Sequence, residues 1–450
     1  MEHNYQNSNS MKIKHKLLVQ FILLVGLLPN LFAQSRPAPS VGLPNPQLPT
    51  PTVPMPQVPN LQNMMMESPQ RIQQQNNQMI QNDMMQYNQQ HQQNQSLIEE
   101  STRDMLQKEI QYEIPDMSSM PETQRFVKAY NDINDMLEGK QDLSLKKAVF
   151  EAENAWYGGV MNYEYFCSDI AAMVDIIKNA IQQEGHSIDN DLAKKWMLHR
   201  FMSDTLRLKD DKGKVTFTHL PYEYDFEDIE GKKDWSKMFV TKLMRTRKGQ
   251  CRSMPLLYLI LAEELGVKAW LTYSPSHTYI RLQDSKQNWY NLELTNGHYS
   301  ADSWVLSSGF IKSEALKNQL YMDTLSKKEL IAGTLHELNM GYAQKFGYDR
   351  FVLQTAETTL KHHSNNVFAM QMKADWATMR FRYVLHQLNY PPKEQIHLYP
   401  KANQVLQEMY DIYRYIDQTG YEQMPEELYK EWLKSFDKEK GKQPIQIIKP

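Results

Sequence analysis

The sequence predicts an α+β protein in which a short stretch of strands lies between two helical regions. Apolar residues recur with helical periodicity over about 98–208 and again over about 311–436. Between these regions, the apolar run Leu256–Ala262 is followed by three short strand-like runs that end at Leu294. Helices and strands segregated along a chain in this way are typical of α+β folds.

The composition excludes several classes of protein. The 450 residues include 50 Lys and Arg against 53 Asp and Glu, so no overall positive charge favours nucleic acid as a partner. Two cysteines are too few for a disulfide framework or a four-cysteine zinc site. We predict no metal and no cofactor. A mean hydropathy of −0.65 is low for a globular protein, which indicates that polar residues are concentrated in part of the chain.

The N-terminus has the pattern of an export signal. Three lysines within 12–16 precede the apolar run Leu17–Leu28, and Ala33 offers a small residue for cleavage. The run is shorter than the ~20 apolar residues that a transmembrane helix needs. We predict a signal over 1–33, with Met11 as an alternative start, and a periplasmic or secreted protein without a stable membrane span after signal removal. An uncleaved membrane anchor is the alternative.

Residues 34–97 have a composition that predicts disorder. The stretch 37–59 holds 9 of the 22 prolines, and 61–97 contains 13 Gln and 6 Asn. Neither composition buries enough apolar surface to offset the entropy of ordering the chain. We predict a Pro-rich spacer and then a polar tether, although the methionines of the second part favour a transient helix.

Four helices are predicted in the region 98–208. Ser119 with Glu122 forms a capping-box pattern before the first of them. The apolar periodicity places the helices at about 126–137, 145–156, 163–181 and 192–206. Cys167, in the third helix, is predicted to be a buried free thiol. The alternative is a disulfide with Cys251, since an exported protein meets an oxidising compartment.

The most informative residues lie between Met238 and Gly297. Cys251 stands at the first turn of the apolar helix, and Gly266 ends that helix. A thiol at a helix N-terminus feels the positive end of the helix dipole, which favours the thiolate. Arg252 and three basic residues just upstream strengthen that effect if their side chains turn inward; otherwise they form a solvated surface.

Three strand-like runs follow the helix, over 267–273, 277–282 and 288–294. His277 opens the middle run, and Glu293 lies near the end of the third. In an antiparallel pair the start of one strand lies beside the end of the next, so Glu293 is the predicted partner of His277. Asn291 shares the same face of the third strand.

The order Cys251, His277, Glu293 resembles the transglutaminase-like superfamily, whose core is papain-like. In that family a cysteine begins a central helix, a histidine begins a strand, and an aspartate near the end of the next strand orients the histidine. Gly249 supplies the Gly-x-Cys context, and the string from Trp289 to Thr295 matches the family's tryptophan, acid and threonine pattern. The resemblance implies a central helix packed on an antiparallel sheet, within a core over 209–310, flanked by the helical regions.

The resemblance also implies nucleophilic catalysis. His277 takes the thiol proton of Cys251, the thiolate attacks an amide carbonyl, and a thioester forms that water or an amine resolves. A cysteine amidase or peptidase is expected, with a peptide or protein amide, or cell-envelope material, as substrate. One alternative is an inactive module of the same fold that binds peptide or envelope ligands. Another is a structural scaffold, in which Cys251 and His277 are dispensable.

The sequence departs from the family pattern at Glu293, which is one methylene longer than the usual aspartate. A carboxylate still holds the imidazole tautomer. Asn291 is the reserve candidate, since papain-like enzymes use an asparagine in this role. The oxyanion would be bound by the Cys251 backbone N–H and by a side-chain donor. The candidates for that donor are Gln250, Trp235 and Tyr224.

Beyond Gly297 the chain becomes helical again. Helices are predicted over 315–321, 327–346, 350–363, 367–388, 402–416 and 425–436. The stretch from Gly347 to Ala369 resembles a tetratricopeptide helix pair and its turn. It implies a short helical cap over 311–436, with a groove for a protein partner as an alternative. Residues 437–450 are predicted to be a charged tail.

Overall fold

The computed structural model describes residues 69–307 and 310–439. The predicted export signal, the Pro-rich spacer and the end of the charged tail lie outside these residues. In chain order the described elements are α1 (Pro69–Glu109), α2 (Gln124–Leu137), α3 (Leu145–Trp156), α4 (Tyr163–Gln183), α5 (Asp191–Ser203), β1 (Leu206–Lys209), β2 (Val215–His219), β3 (Glu223–Tyr224), α6 (Val240–Thr246), β4 (Lys248–Gly249), α7 (Ser253–Leu265), β5 (Trp270–Ser274), β6 (His277–Gln283), β7 (Trp289–Glu293), β8 (His298–Ser300), α8 (Asp302–Leu306), α9 (Ser313–Lys317), α10 (Lys327–Phe346), α11 (Arg350–His362), α12 (Val367–Gln387), α13 (Pro400–Gln418) and α14 (Glu426–Glu439). The described chain is therefore α+β, as the sequence predicts.

Helix α1 contains the part of the polar segment 34–97 that the structure describes. It is 41 residues long, and its side chains are exposed along nearly all of its length. A helix here is the alternative that the methionines favour, and Gln and Met are good helix formers. No helix of the described ranges combines the length and apolar character needed to cross a bilayer.

Helix α2 lacks the capping box that the sequence predicts before it. Pro121 starts a 3₁₀ turn that ends at Thr123, and α2 follows at Gln124 without a side-chain cap. The capping box predicted at Ser119 is therefore wrong. A capping box does occur at the start of α10, where a serine and a glutamate three residues later bond each other's backbone.

Two helical regions that are far apart in sequence share one core. Helices α2 and α3 pack against α10, and so does α11, which follows α10 in the chain. Phe126 and Tyr342 meet edge to face in this core, with ring centroids 5.6 Å apart. The N-terminal helices and the predicted C-terminal cap are thus interleaved rather than stacked on opposite sides of the strands.

A second core surrounds α7. This helix is buried on nearly all sides, as expected for a helix that is apolar all round. Helices α4, α5 and α6 and the strands β5 and β6 pack around it. Gly266 takes the left-handed conformation, with φ 69°, and ends α7 as predicted.

The main sheet has four antiparallel strands in the order β5, β6, β7, β8. The first three correspond to the predicted strands, and β8 is an addition to them. A two-residue turn joins β5 to β6, because Ser274 pairs directly with His277. Ile280 pairs with Leu292, which brings the end of β7 beside the start of β6.

Helix α14 follows the adjacent pair α12 and α13 and returns to the α7 core. Tyr429 and Leu433 are each 1% exposed in the same apolar cluster as α7. The predicted boundary of the charged tail, at residue 437, falls inside this helix.

Candidate active site

Cys251 lies in the turn that leads into α7. The turn is tight at Gly249, where a Cβ atom would stand 2.7 Å from Ser253 Oγ. That hydroxyl accepts the backbone N–H of Gln250 at 2.9 Å, and the Cys251 carbonyl accepts a hydrogen bond from the Thr278 hydroxyl. These contacts hold the thiol at the N-terminal end of α7, where Cys251 is only 7% exposed.

His277 and Glu293 form a buried pair. His277 Nε2 lies 2.6 Å from Glu293 Oε2. The other carboxylate oxygen accepts hydrogen bonds from Thr295, from its backbone N–H at 2.9 Å and its hydroxyl at 2.6 Å. His277 is 1% and Glu293 4% exposed. The longer glutamate therefore reaches the imidazole, and the two hydrogen bonds from Thr295 hold its carboxylate in place.

The thiol of Cys251 hydrogen-bonds to the His277 ring. Burial raises the pKa of the Cys251 thiol. The hydrogen bond and charge of His277, together with the charge of Arg252, lower this pKa by more than burial raises it, so it lies below its usual value. Burial lowers the pKa of His277, whereas Glu293 and Cys251 together raise it to about 10. The structure thus favours a thiolate beside an imidazolium.

Two aromatic residues of α14 lie next to Cys251 and His277. The Tyr429 hydroxyl lies 3.2 Å from His277 Nδ1 and also interacts with the Cys251 thiol. Trp432 meets the His277 ring edge to face at 5.2 Å and stacks on Trp304 at 5.1 Å. Sequence reasoning missed both residues. The amphipathic pattern of α14 was their only signal, and it does not say which surface the helix covers.

Tyr224 brings a third hydroxyl to the thiol. Strand β3 runs parallel to β4 and pairs Tyr224 with Gly249, two residues before Cys251. Its hydroxyl is buried, interacts with Cys251 and Tyr429, and has no partner at ordinary hydrogen-bond geometry among the described residues. Burial, and then the charge of Cys251, hold the pKa of Tyr224 well above its usual value. Tyr224 is therefore a neutral donor next to the nucleophile.

Gln250 and Trp235 do not offer side-chain donors to the thiol. Gln250 Nε2 donates to three carbonyls of the loop 225–228, at 2.9–3.1 Å. Trp235 Nε1 donates to the backbone carbonyl of Glu337 at 3.0 Å, inside an apolar cluster. The prediction of either residue as an oxyanion donor is contradicted by these bonds. Gln250 instead holds the loop that follows Tyr224.

Asn291 is not the partner of His277. Its side-chain amide donates to Asp302 at 2.7 Å, and Asp302 also pairs with Arg281 at 3.2 Å. Glu293 therefore occupies the orienting position beside His277, and Asn291 does not.

Arg252 turns inward, whereas the three basic residues upstream of it are exposed. Its guanidinium pairs with Glu337 at 2.7 Å and lies 4.1 Å from the centre of the Phe368 ring. The positive charge near the thiol is therefore balanced by a buried carboxylate.

Both cysteines are free thiols, and Cys167 is half-buried in α4. The alternative of a Cys167–Cys251 disulfide does not occur in the structure. Within residues 69–307 and 310–439, no group of three or more His, Cys, Asp or Glu side chains is placed to hold a metal ion.

Cys251, His277 and Glu293 are thus brought together as predicted, with Tyr224 and Tyr429 around them. No family model, curated protein or solved structure matches this chain. The function has to be judged from the geometry of these five side chains.

Proposed function

We propose that this protein is a cysteine hydrolase with a transglutaminase-like, papain-like core, which cleaves amide bonds of peptides or proteins through a thioester. One observation carries the proposal: the hydrogen-bonded chain from Cys251 through His277 to Glu293. A nucleophile, a base and a carboxylate that orients the base, in this order, are the parts that acyl transfer needs.

Each side chain has a defined part in the proposed reaction. The Cys251 thiolate attacks the carbonyl carbon and forms a C–S bond, while the carbonyl electrons move to oxygen. The C–N bond then breaks, and His277 gives its proton to the leaving amine. Water attacks the resulting thioester as His277 takes up a proton from it. The C–S bond then breaks, and the acid leaves the Cys251 thiolate beside the His277 imidazolium. Glu293 stabilises the imidazolium whenever His277 holds that proton.

The oxyanion needs donors that point at the place where negative charge develops. We assign this part to the Tyr224 hydroxyl and the backbone N–H of Cys251. Tyr224 suits the role because its hydroxyl is buried next to the thiol and stays neutral. We do not assign this part to Gln250 or Trp235, because their side-chain N–H groups already donate to backbone carbonyls.

The place of action and the substrate class belong to the same proposal. The basic residues and the apolar run within 12–28 support export to the periplasm or beyond. Peptide amides, including those of cell-envelope material, are the substrates that the proposal names. The resemblance of the C-terminal helices to tetratricopeptide pairs supports a protein partner as a further, separate proposal.

One observation favours the second candidate, an inactive module that binds peptide. The Cys251 thiol is almost fully covered, and the Tyr429 hydroxyl lies 3.2 Å from His277 Nδ1. The two candidate functions predict different pKa values for the Cys251 thiol. Catalysis requires a thiolate at neutral pH, whereas a binding module does not.

The test is a titration of the thiolate by its ultraviolet absorbance, which does not require access to the thiol. The Cys251→Ala protein supplies the baseline, and Cys167→Ala is the common background. The proposal predicts a midpoint well below the ~8.5 of a free thiol. It also predicts that His277→Ala moves the midpoint back up. A midpoint at or above ~8.5 would contradict the enzyme and favour the binding module.

A further inference from the structure

Helix α14 lies directly over the candidate site. Tyr429 contacts His277 through its hydroxyl, and Trp432 covers the edge of the same ring. The Cys251 thiol interacts with the Tyr429 hydroxyl as well as with His277. A polypeptide substrate and α14 therefore require the same space.

The Tyr429 hydroxyl occupies a specific part of that space. It is within hydrogen-bond range of the base, and it interacts with the nucleophile and with the hydroxyl of Tyr224. A carbonyl under attack has to lie about 3 Å from both a nucleophile and its oxyanion donors. The Tyr429 hydroxyl contacts the base and interacts with both of the other groups, so it competes with a reacting carbonyl for this position.

The docking of α14 depends on few side chains. Tyr429 and Leu433 are buried, Trp432 is half-buried, and most of the other described side chains of the helix are exposed. At its start, Glu426 pairs with Lys232 at 2.8 Å, but both side chains are partly exposed, so this contact contributes little. Elements held by few buried contacts open at lower free energies than the core that they cover.

The segment before α14 supplies a hinge. Gly420 adopts φ 85°, and a Cβ there would stand 2.5 Å from the Ala315 backbone nitrogen. Asn318 donates to the Thr419 carbonyl at 3.1 Å, which anchors the chain just before the glycine. Residues 421–425 then lead to α14 without regular secondary structure. Gln371 donates to the Tyr421 hydroxyl, and Lys312 pairs with Glu422 at 3.5 Å. The chain is therefore anchored up to residue 422 and free to swing after it once Met424 and α14 leave the core.

We propose that α14 is an autoinhibitory plug, which opens locally about residues 423–425 and uncovers Cys251, His277 and Tyr224 to substrate. The inference rests on the proposed function, because a plug inhibits only if the covered thiol reacts. With α14 docked, the protein is inactive. When α14 moves away, the thiolate and both oxyanion donors are exposed in the groove that the helix occupied.

The test compares two leucines of α14 in the full chain with Cys167→Ala. Leu433→Ala removes a buried docking contact of α14, whereas Leu428→Ala makes the same change at a side chain that is 43% exposed. The measured quantity is the rate at which iodoacetamide alkylates Cys251. We expect Leu433→Ala to raise this rate about tenfold or more, because loss of a buried leucine side chain weakens docking. Leu428→Ala should leave the rate within about twofold, since surface changes are nearly neutral.

A second measurement keeps the inference testable if Leu433→Ala fails to fold. In the unmutated helix, the plug predicts that α14 amides exchange with deuterium faster than those of α7. It also predicts that low urea concentrations barely change the alkylation rate, because local opening exposes little surface. Exchange of α14 only by global unfolding, or an alkylation rate with the full urea dependence of unfolding, would overturn the plug.

The two proposals fail in different ways. A thiolate midpoint near that of a free thiol, measured by absorbance, refutes the cysteine chemistry whatever α14 does. A low midpoint together with equal alkylation of the Leu433→Ala and Leu428→Ala proteins refutes the plug and leaves the chemistry standing.

Discussion

The charge of Glu293 is expected to hold His277 in the form that the proposed reaction needs. In Glu293→Gln the side chain keeps its shape, and its amide oxygen still accepts the two Thr295 hydrogen bonds. Its amide N–H, however, then faces His277 Nε2, which lies 2.6 Å from Oε2 in the native pair. A neutral imidazole accepts that bond at Nε2 and carries its proton on Nδ1, so it is a poor acceptor for the thiol proton.

The magnitude follows from the geometry of the pair. Unit charges about 4 Å apart attract by about 4 kcal/mol at an effective dielectric constant of 20. Part of this attraction only offsets the cost of burying both groups. Opposite charges at such range shift a pKa by about 1–3 units, or about 1.4–4 kcal/mol. We expect the thiolate midpoint of Cys251 to rise by about 1–3 units, because the thiolate loses its imidazolium partner.

The assay is the absorbance titration of the thiolate, with the matching Cys251→Ala protein as baseline. Glu427→Gln is the control, since it makes the same chemical change at an exposed position of α14. An unchanged midpoint in Glu293→Gln, with the fold intact by circular dichroism, would refute the reasoning that Glu293 sets the charge state of the site.

Three further predictions follow from the described contacts. Tyr224→Phe should lower the rate of acylation by p-nitrophenyl acetate about 10²–10³-fold in the Leu433→Ala background, because one oxyanion donor is lost. Arg252→Met should lower the free energy of unfolding in urea by about 3–5 kcal/mol, since Glu337 is left buried and unpaired, and adding Glu337→Met should recover part of the loss. In Cys251→Ala protein, Glu293 still holds the His277 pKa above its unfolded value of ~6.5. His277 therefore contributes stability that is full below about pH 6.5 and is lost as the pH rises through its folded pKa, which is about 10 in the native site.

Each of these three predictions has its own control. Tyr222→Phe removes a hydroxyl that donates to a methionine sulfur at 3.7 Å, and it should not change acylation. A double variant of the Arg252–Glu337 pair that is no more stable than Arg252→Met would show that the unpaired charge is not the source of the loss. The pH effect requires that His277→Ala, in the Cys251→Ala background, flattens the dependence of unfolding free energy on pH; parallel curves would contradict it.

Much of the local structure could be predicted because it depends on neighbours in sequence. The periodic apolar residues predict α2, α3 and α10 to within a few residues, and Gly266 marks the end of α7. The pairing of His277 with Glu293 follows from strand order alone, because an antiparallel turn fixes which ends meet.

The parts that could not be predicted depend on contacts made across the fold. Gln250 and Trp235 lie close to Cys251 in sequence, but their N–H groups are taken by carbonyls of the loop 225–228 and of Glu337. Tyr429 reaches His277 from 152 residues away. Helical periodicity shows that α14 has an apolar face, and it carries no information about what that face covers.

The core shared by α2, α3 and α10 determines when this chain can fold. The apolar faces of α2 and α3 emerge first during synthesis, and their partner α10 follows about 200 residues later, so they stay uncovered over most of that time. Closing so long a loop costs entropy before its contacts form, which makes folding slow. Chains truncated before Lys327 should therefore leave α2 and α3 uncovered, and they should aggregate rather than fold.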